Sequence, residues 1–260
     1  MCHERIRKTP KSRSLSGKAS ENSLLAACCF IGGGLRAVSP VDGESRAERA
    51  TREGRALWRW AGETRCRLNP ADYLPLITGG GQEHRVWHDS KAVRYRKVTH
   101  TGRYGWTAAM DFRYNKWTQE DEPFIGMGDA TPLEYLDRLL LQNEVFGDDI
   151  TLEGIALEAE GLAIATHQKY IFGELPDSNG MLSVMEELGY DLIPGIPANS
   201  EDCFSFYDRT HRIGAFDAHT GNFIQIDSGD VVPIDLVMIR ADQAMHDYLC
   251  QRIDASANPK

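Results

Sequence analysis

The segment Ala215–Asp235 constrains this chain more than any other. It holds Asp217-Ala218-His219-Thr220-Gly221-Asn222, a D-x-H-x-x-N pattern, and 13 residues after Asn222 an apolar run, Val231-Val232-Pro233-Ile234, ends in Asp235. Asp, Asn and Gly within six residues favour a tight loop. The spacing to the second carboxylate suits a short hairpin that brings Asp235 back beside the loop. A fold that contains this unit must place two carboxylates and an amide at one spot, and must supply cations to balance them.

The remainder of the chain splits by charge. Residues 1–67 carry 14 Lys and Arg against 7 Asp and Glu, whereas residues 68–260 carry 15 against 31. The acidic body argues against a nucleic-acid-binding core, because phosphate neutralisation needs clustered Lys and Arg. Six cysteines (Cys2, Cys28, Cys29, Cys66, Cys203 and Cys250) show no C-x-x-C and no repeated spacing. They read as reduced thiols of a cytoplasmic protein rather than a disulfide or zinc framework. The basic residues 5–18 followed by the mostly apolar Ser23–Leu35 mimic a secretory signal. Only two large apolar residues precede Cys28, however, and the stretch is too short to span a bilayer. Residues 1–43, rich in Ser, Gly, Lys and Arg without a clear period, are expected to be largely disordered. Residues 44–255 are expected to be the folded unit.

Within that unit the hydrophobic period changes along the chain. From Ser45, a fair N-cap, Ala47, Ala50, Leu57, Trp60 and Ala61 follow helical spacing, with arginines on the other face. After Tyr73 the pattern becomes β. Three glycines, Gly79-Gly80-Gly81, precede two short strands around a turn at Asp89-Ser90-Lys91, and in the second strand Val93, Tyr95 and Lys97 share a face. A lysine on the apolar side of a strand needs an anionic partner. Residues 100–130 are aromatic and irregular, a loop or hairpin insertion. Thr131-Pro132 opens a helix to about Phe146, with Leu133, Leu136, Leu140 and Phe146 in its buried stripe. Strands are expected near 150–158, 162–168, 203–208, 222–227 and 231–235. Between them Ser178 caps a helix ending at Gly189. Leu236–Ile253 reads as a final helix. The class is α+β.

An Asp that orients a hydroxyl, an amide oxygen and a second carboxylate that hold Mg²⁺, and an upstream lysine that neutralises phosphate are the parts that phosphoryl transfer needs. D-A-H-T-G-N followed by V-P-I-D resembles the catalytic loop and metal-binding Asp of the protein-kinase-like superfamily, in the D-x-H-x-x-N form of aminoglycoside phosphotransferases. Gly80–Asp89, Thr131–Ile155 and Thr166–Ile171 add a resemblance to the kinase-like domain of polyvalent proteins from phages and mobile elements. It covers roughly residues 52–240. The resemblance implies a two-lobed fold with a reduced C-terminal lobe, which binds ATP and Mg²⁺ and moves the γ-phosphoryl group to a hydroxyl of a protein or small molecule. It implies that Asp217 orients the acceptor and that Asn222 and Asp235 hold the metal. Lys97 would contact the α- and β-phosphates, paired with a helix carboxylate. Glu134 is the first choice for that partner, with Glu144 and Asp137 as rivals. Gly79, Gly80 and Gly81 would cover the phosphates. Thr166–Tyr170, with Gln168 and Tyr170, would form the hinge that meets the adenine.

Several departures qualify these expectations. The glycine turn is not G-x-G-x-x-G, no H-R-D or D-F-G occurs, and only 25 residues follow Asp235. A full activation loop and an A-P-E segment are therefore missing from this sequence. A nucleotide-binding module of pseudokinase type and a small-molecule kinase of antibiotic-modifying type remain the competing readings.

Overall fold

The computed structural model describes residues 21–32, 43–196 and 203–257. Expectations for residues 1–20 and 33–42 lie outside the described residues. The rest of the front end is folded, contrary to the expected disorder. Glu21–Ile31 forms helix α1, which buries Leu24, Ala27, Cys28 and Ile31. The Ser23 hydroxyl donates to the carbonyl of Leu152 (3.3 Å). The reason is a short apolar stripe, Leu24, Ala27, Cys28 and Ile31, at helical spacing. It is too brief to stand out by period, yet sufficient once a partner surface exists.

Helix α2 (Arg46–Glu63) follows, and Ser45 and Glu48 close a capping box at its start. After β1 (Arg67–Leu68), the short helix α3 (Pro70–Tyr73) and a 3-10 turn, strands β2 (Gly79–Gly80), β3 (His84–Asp89) and β4 (Arg94–Thr99) form a meander. Next comes a long hairpin, β5 (Trp106–Asn115) and β6 (Glu120–Asp129), and then helix α4 (Pro132–Phe146). Thr131 caps α4, and Gly147, at φ 72°, ends it in the left-handed region that glycine adopts without strain. Strands β7 (Thr151–Glu158) and β8 (Gly161–Lys169) complete a six-stranded sheet in the order β1-β7-β8-β4-β3-β2. All its pairings are antiparallel except β1 with β7.

Helices α1, α2 and α4 cover one face of this sheet. Leu57, Leu136, Ile155 and Ile164 form the core between the layers. Lys97 pairs with Thr166, and side chains alternate along β8. Lys97 therefore lies on the same face as Ile164, toward the helices. Tyr73, Trp87, Val98 and Ala165 pack on the opposite face.

The second half begins with helix α5 (Ser178–Glu187), capped by Asp177 rather than Ser178. A four-stranded antiparallel sheet then forms from β9 (Asp191–Leu192), β10 (Phe204–Asp208), β11 (Ile213–Ala218) and β14 (Val237–Arg240), in the order β14-β11-β10-β9. A small hairpin, β12 (Phe223–Gln225) with β13 (Val231–Pro233), is inserted between β11 and β14. The final helix, α6, is Gln243–Ala257, so the expected helix over 236–253 is corrected. Val237–Arg240 pairs with β11, because its apolar run satisfies a sheet as readily as a helix. Helix α4 joins the halves. Leu133, Leu136 and Leu139 enter the first core, while Leu141 enters the second with Met181, Phe206 and Phe223. Among the described residues no helix is long and apolar enough to cross a membrane.

Candidate functional site

A cleft of about 750 Å³ opens between the two halves. Its walls include Gly80, Gly81, Glu83, Val86 and Lys97 from the first half. The second half contributes Cys203, Asp217, His219, Asn222 and Asp235.

Asp217 sits near the end of β11 with φ 58°. Asp tolerates this left-handed conformation better than most residues, and the chain turns sharply there. The turn is closed by bonds that the loop residues make to each other. The Asn222 side-chain amide donates to the Asp217 carbonyl (2.8 Å). The Gly221 N–H donates to His219 Nδ1 (3.1 Å), so His219 works as a loop cap. The Asn222 N–H donates to the His219 carbonyl (2.8 Å). The Cys203 thiol donates to Asp217 Oδ1 (3.3 Å). The small hairpin then returns the chain, and the Ile234 N–H donates to the Asn222 carbonyl (2.9 Å). Asp235 is thereby fixed beside Asn222.

Lys97 reaches this spot from the other half. Its Nζ donates to Asp235 Oδ2 at 3.1 Å, across 138 residues of sequence. Burial alone would raise the Asp235 carboxyl. The Lys97 ammonium, His84 and the Arg138 guanidinium outweigh that cost and hold it well below the usual carboxylate range. The anionic partner that a strand lysine requires is therefore Asp235.

It is not Glu134. That carboxylate closes the α4 capping box by accepting from the Thr131 N–H (2.9 Å), and it also takes Arg46 Nη2 (2.5 Å). The rivals are committed elsewhere as well. Glu144 pairs with Arg240 (2.6 Å), and Asp137 hydrogen-bonds the Cys28 thiol. A helix start is where a carboxylate gains most from free N–H groups, and this local gain fixes Glu134. What α4 sends toward the cleft is a cation. Arg138, one turn further on and 3 % exposed, makes a two-pronged bond to Glu83 (3.0 and 2.6 Å). Glu83 Oε1 also accepts from the Trp106 N–H (2.9 Å). Burial works to raise the Glu83 carboxyl, but the Arg138 charge and hydrogen bonds prevail and lower it. Next to it, buried His84 bonds the Tyr135 hydroxyl through Nε2 (2.9 Å), and burial pushes its imidazole down to about 4. Two consecutive residues thus tie the start of β3 to α4. The tie from Glu83 and His84 to α4 was not foreseen, because the only signal was that the two follow Gln82 just after the glycines.

The glycine turn lies above the pair. The Gly81 N–H donates to the His84 carbonyl (2.8 Å). A Cβ on Gly80 would lie 2.6 Å from that same carbonyl oxygen, so the tight turn requires glycine. Gly80 and Gly81 line the cleft, whereas Gly79 pairs with the lining residue Val86 but is not itself part of the wall. Gln168 belongs to β8, opposite Tyr95, and is 9 % exposed. Tyr170 stacks among Tyr95, His88 and Phe172, with centroids 4.4–4.8 Å from its own. The crossing between halves is later than expected. Strand β8 runs unbroken to Lys169, so residues 170–177 make the passage, and Glu174 bridges Gln225 in the small hairpin.

Asn222 and Asp235 are the pair suited to a hard cation. The Asn222 hydrogen bonds use its N–H groups and backbone carbonyl, leaving the amide oxygen as a ligand. Among the described residues no group of three or more His, Cys, Asp or Glu side chains surrounds a metal position. Two protein oxygens suit Mg²⁺, which keeps waters and takes substrate phosphates as its other ligands. Comparison with known protein families, curated proteins and solved structures gives no match.

Proposed function

We propose that the chain is an ATP- and Mg²⁺-dependent phosphotransferase of the protein-kinase-like type, with a two-lobed architecture whose C-terminal lobe is reduced. The observation that carries this reading is the meeting of Lys97, Asp217, Asn222 and Asp235 with the Gly80-Gly81 turn in one cleft, with Lys97 Nζ 3.1 Å from Asp235. The surroundings support it. Lys97 lies in the third strand of the β2-β3-β4 meander, in the middle of the six-stranded sheet, α4 packs on the Lys97 side, and a hairpin joins Asn222 to Asp235.

In this reading Asn222 and Asp235 would hold Mg²⁺, which would supply positive charge beside the nucleotide phosphates. Lys97 exchanges part of its bond to Asp235 for the α- and β-phosphates. The Gly80 and Gly81 backbone closes over them without side chains in the way. Asp217 orients the acceptor hydroxyl and takes its proton. Catalysis by position and charge needs no covalent protein intermediate.

A second reading, a nucleotide-binding module with weak turnover, is favoured by one observation: no carboxylate from α4 reaches Lys97, and Asp235 takes that place. The D-x-H-x-x-N loop keeps a small-molecule acceptor of antibiotic type as a third. A thermal shift with Mg·ATP, followed by transfer of labelled phosphate, tests the proposal. Asp217→Asn keeps a residue that tolerates the left-handed backbone. It is expected to retain the thermal shift and lose at least 100-fold in transfer rate, in keeping with the 10²–10⁴-fold worth of a positioned acid–base group. Equal rates in both proteins would remove Asp217 from the reaction. Absence of any Mg·ATP shift in the wild type would end the proposal, since a ligand held by the folded state must raise stability.

A further inference from the structure

The β5–β6 hairpin stands apart from both sheets and pairs only with itself. Its base is anchored. Ala108 and Ile125 are buried with Tyr207, Phe216, Val237 and Leu249, and Trp106 lines the cleft together with Cys203 and Asp217. Beyond Met110 the strands leave the core, and at about 3.4 Å per residue the arm extends roughly 20 Å further. On one face of this arm Phe112 and Tyr114 are 62 % and 61 % exposed, opposite Pro123 and Asp121, and at the tip Trp117 is 95 % exposed. Strand alternation alone would place polar residues here. Three large aromatics on a solvated arm mark a recognition surface, since Trp and Tyr supply much of the binding energy where proteins meet.

Charge selects the occupant. From Asp111 to Glu122 the arm carries Asp111, Glu120, Asp121 and Glu122 against Arg113 and Lys116. A single-stranded nucleic acid stacks on aromatics only where a positive groove tracks its phosphates, and an anionic membrane likewise needs basic side chains. With Arg113 and Lys116 outnumbered by four carboxylates, this arm offers neither a positive groove nor a basic cluster. A basic polypeptide gains on both counts, with Arg and Lys over the aromatic faces and beside the carboxylates. We infer that the β5–β6 arm docks a Lys/Arg-rich polypeptide and presents its Ser or Thr hydroxyl to Asp217, so that the phosphoryl acceptor is a protein and not a small molecule. This rests on the phosphotransferase reading. The hydroxyl oxygen bonds to the γ-phosphorus as the bond to the β-phosphate oxygen breaks, ADP leaves, and the hydroxyl proton passes to the Asp217 carboxylate.

The test uses the full chain, a fluorescent random copolymer of arginine and serine, and the triple variant Phe112→Ser, Tyr114→Ser, Trp117→Ser. The changed side chains are exposed, so folding is retained, and an unchanged Mg·ATP thermal shift checks it. The wild type is expected to bind the copolymer at least tenfold more tightly than the variant, and to phosphorylate it in preference to a copolymer of glutamate and tyrosine. Equal binding by both proteins would overturn the inference, as would preference for the acidic copolymer or arm-dependent binding of single-stranded RNA in its place. Arm-dependent copolymer binding by a protein that ignores Mg·ATP would keep the docking surface and defeat the phosphotransferase reading. A Mg·ATP response without arm dependence would do the reverse.

Discussion

Arg138→Met offers the sharpest test of how the cleft is held together. The methionine fills much of the arginine's volume but leaves the Glu83 carboxylate, only 17 % exposed, without its cation. Removing one partner of a buried pair costs about 3–5 kcal/mol. Glu83 keeps the Trp106 N–H and some access to the cleft, so the lower end, about 3 kcal/mol, is expected. For a chain of this size that corresponds to a fall in Tm of roughly 6–12 °C. Glu83→Gln strands the guanidinium and should cost a similar amount. The double variant should cost clearly less than the two added, with a coupling of at least about 1.5 kcal/mol, because neither charge is then left alone. Urea unfolding of the four proteins at pH 7 measures this. The Glu83 carboxyl titrates lower in the folded state than unfolded. Its stabilising contribution is thus full above the unfolded carboxyl range and is lost as pH falls through the depressed folded value. The gap between wild type and Arg138→Met should therefore narrow in acid. Single variants within 1 kcal/mol of wild type, or a strictly additive double, would refute the reasoning.

Other outcomes follow from the same structure. Asp148, accepting from Gln142 Nε2 (2.8 Å), is pushed up by burial from 3.8 to about 6. It therefore subtracts stability as pH rises between those values. Asp148→Asn should remove that slope and raise stability by up to about 3 kcal/mol at pH 7.5, and parallel pH–stability curves for the two proteins would contradict it. Leu24→Ala, at a fully buried position of α1, should cost about 2–4 kcal/mol by urea unfolding; a change below 0.5 kcal/mol would mean that α1 is not docked. Gly80→Ala should shrink the Mg·ATP thermal shift, since its methyl meets the His84 carbonyl oxygen; an unaltered shift would show that the turn can open at no cost.

The parts legible in the sequence are those set by near neighbours. The Ser45 and Glu48 capping box, the Thr131-Pro132 helix start and the strands around Asp89–Lys91 are written within a few residues, and each forms. So is the loop from Asp217 to Asn222, whose bonds are nearly all internal. Long-range choices were not legible. Lys97 finds Asp235 and not Glu134 because the capping box and Arg46 already claim Glu134. Nothing in the text from 79 to 84 announces that Glu83 will meet Arg138, 55 residues later. Strand β11 was hidden because its Phe216 and Ala218 read as loop flanks. Strand β14 was hidden because a four-residue apolar run carries no period.

Helix α1 has a consequence for how the chain is made. Helix α2, which also packs on it, follows directly, but the carbonyl that Ser23 bonds lies 129 residues later, and the other packing partners of α1, on α4 and β7, emerge at about that time. At about 5–20 residues per second the apolar side of α1 waits roughly 6–26 s for its partner. Until then the side of α1 that meets α4 and β7 stays uncovered, and the yield of folded chain in cells should rise with a holding chaperone.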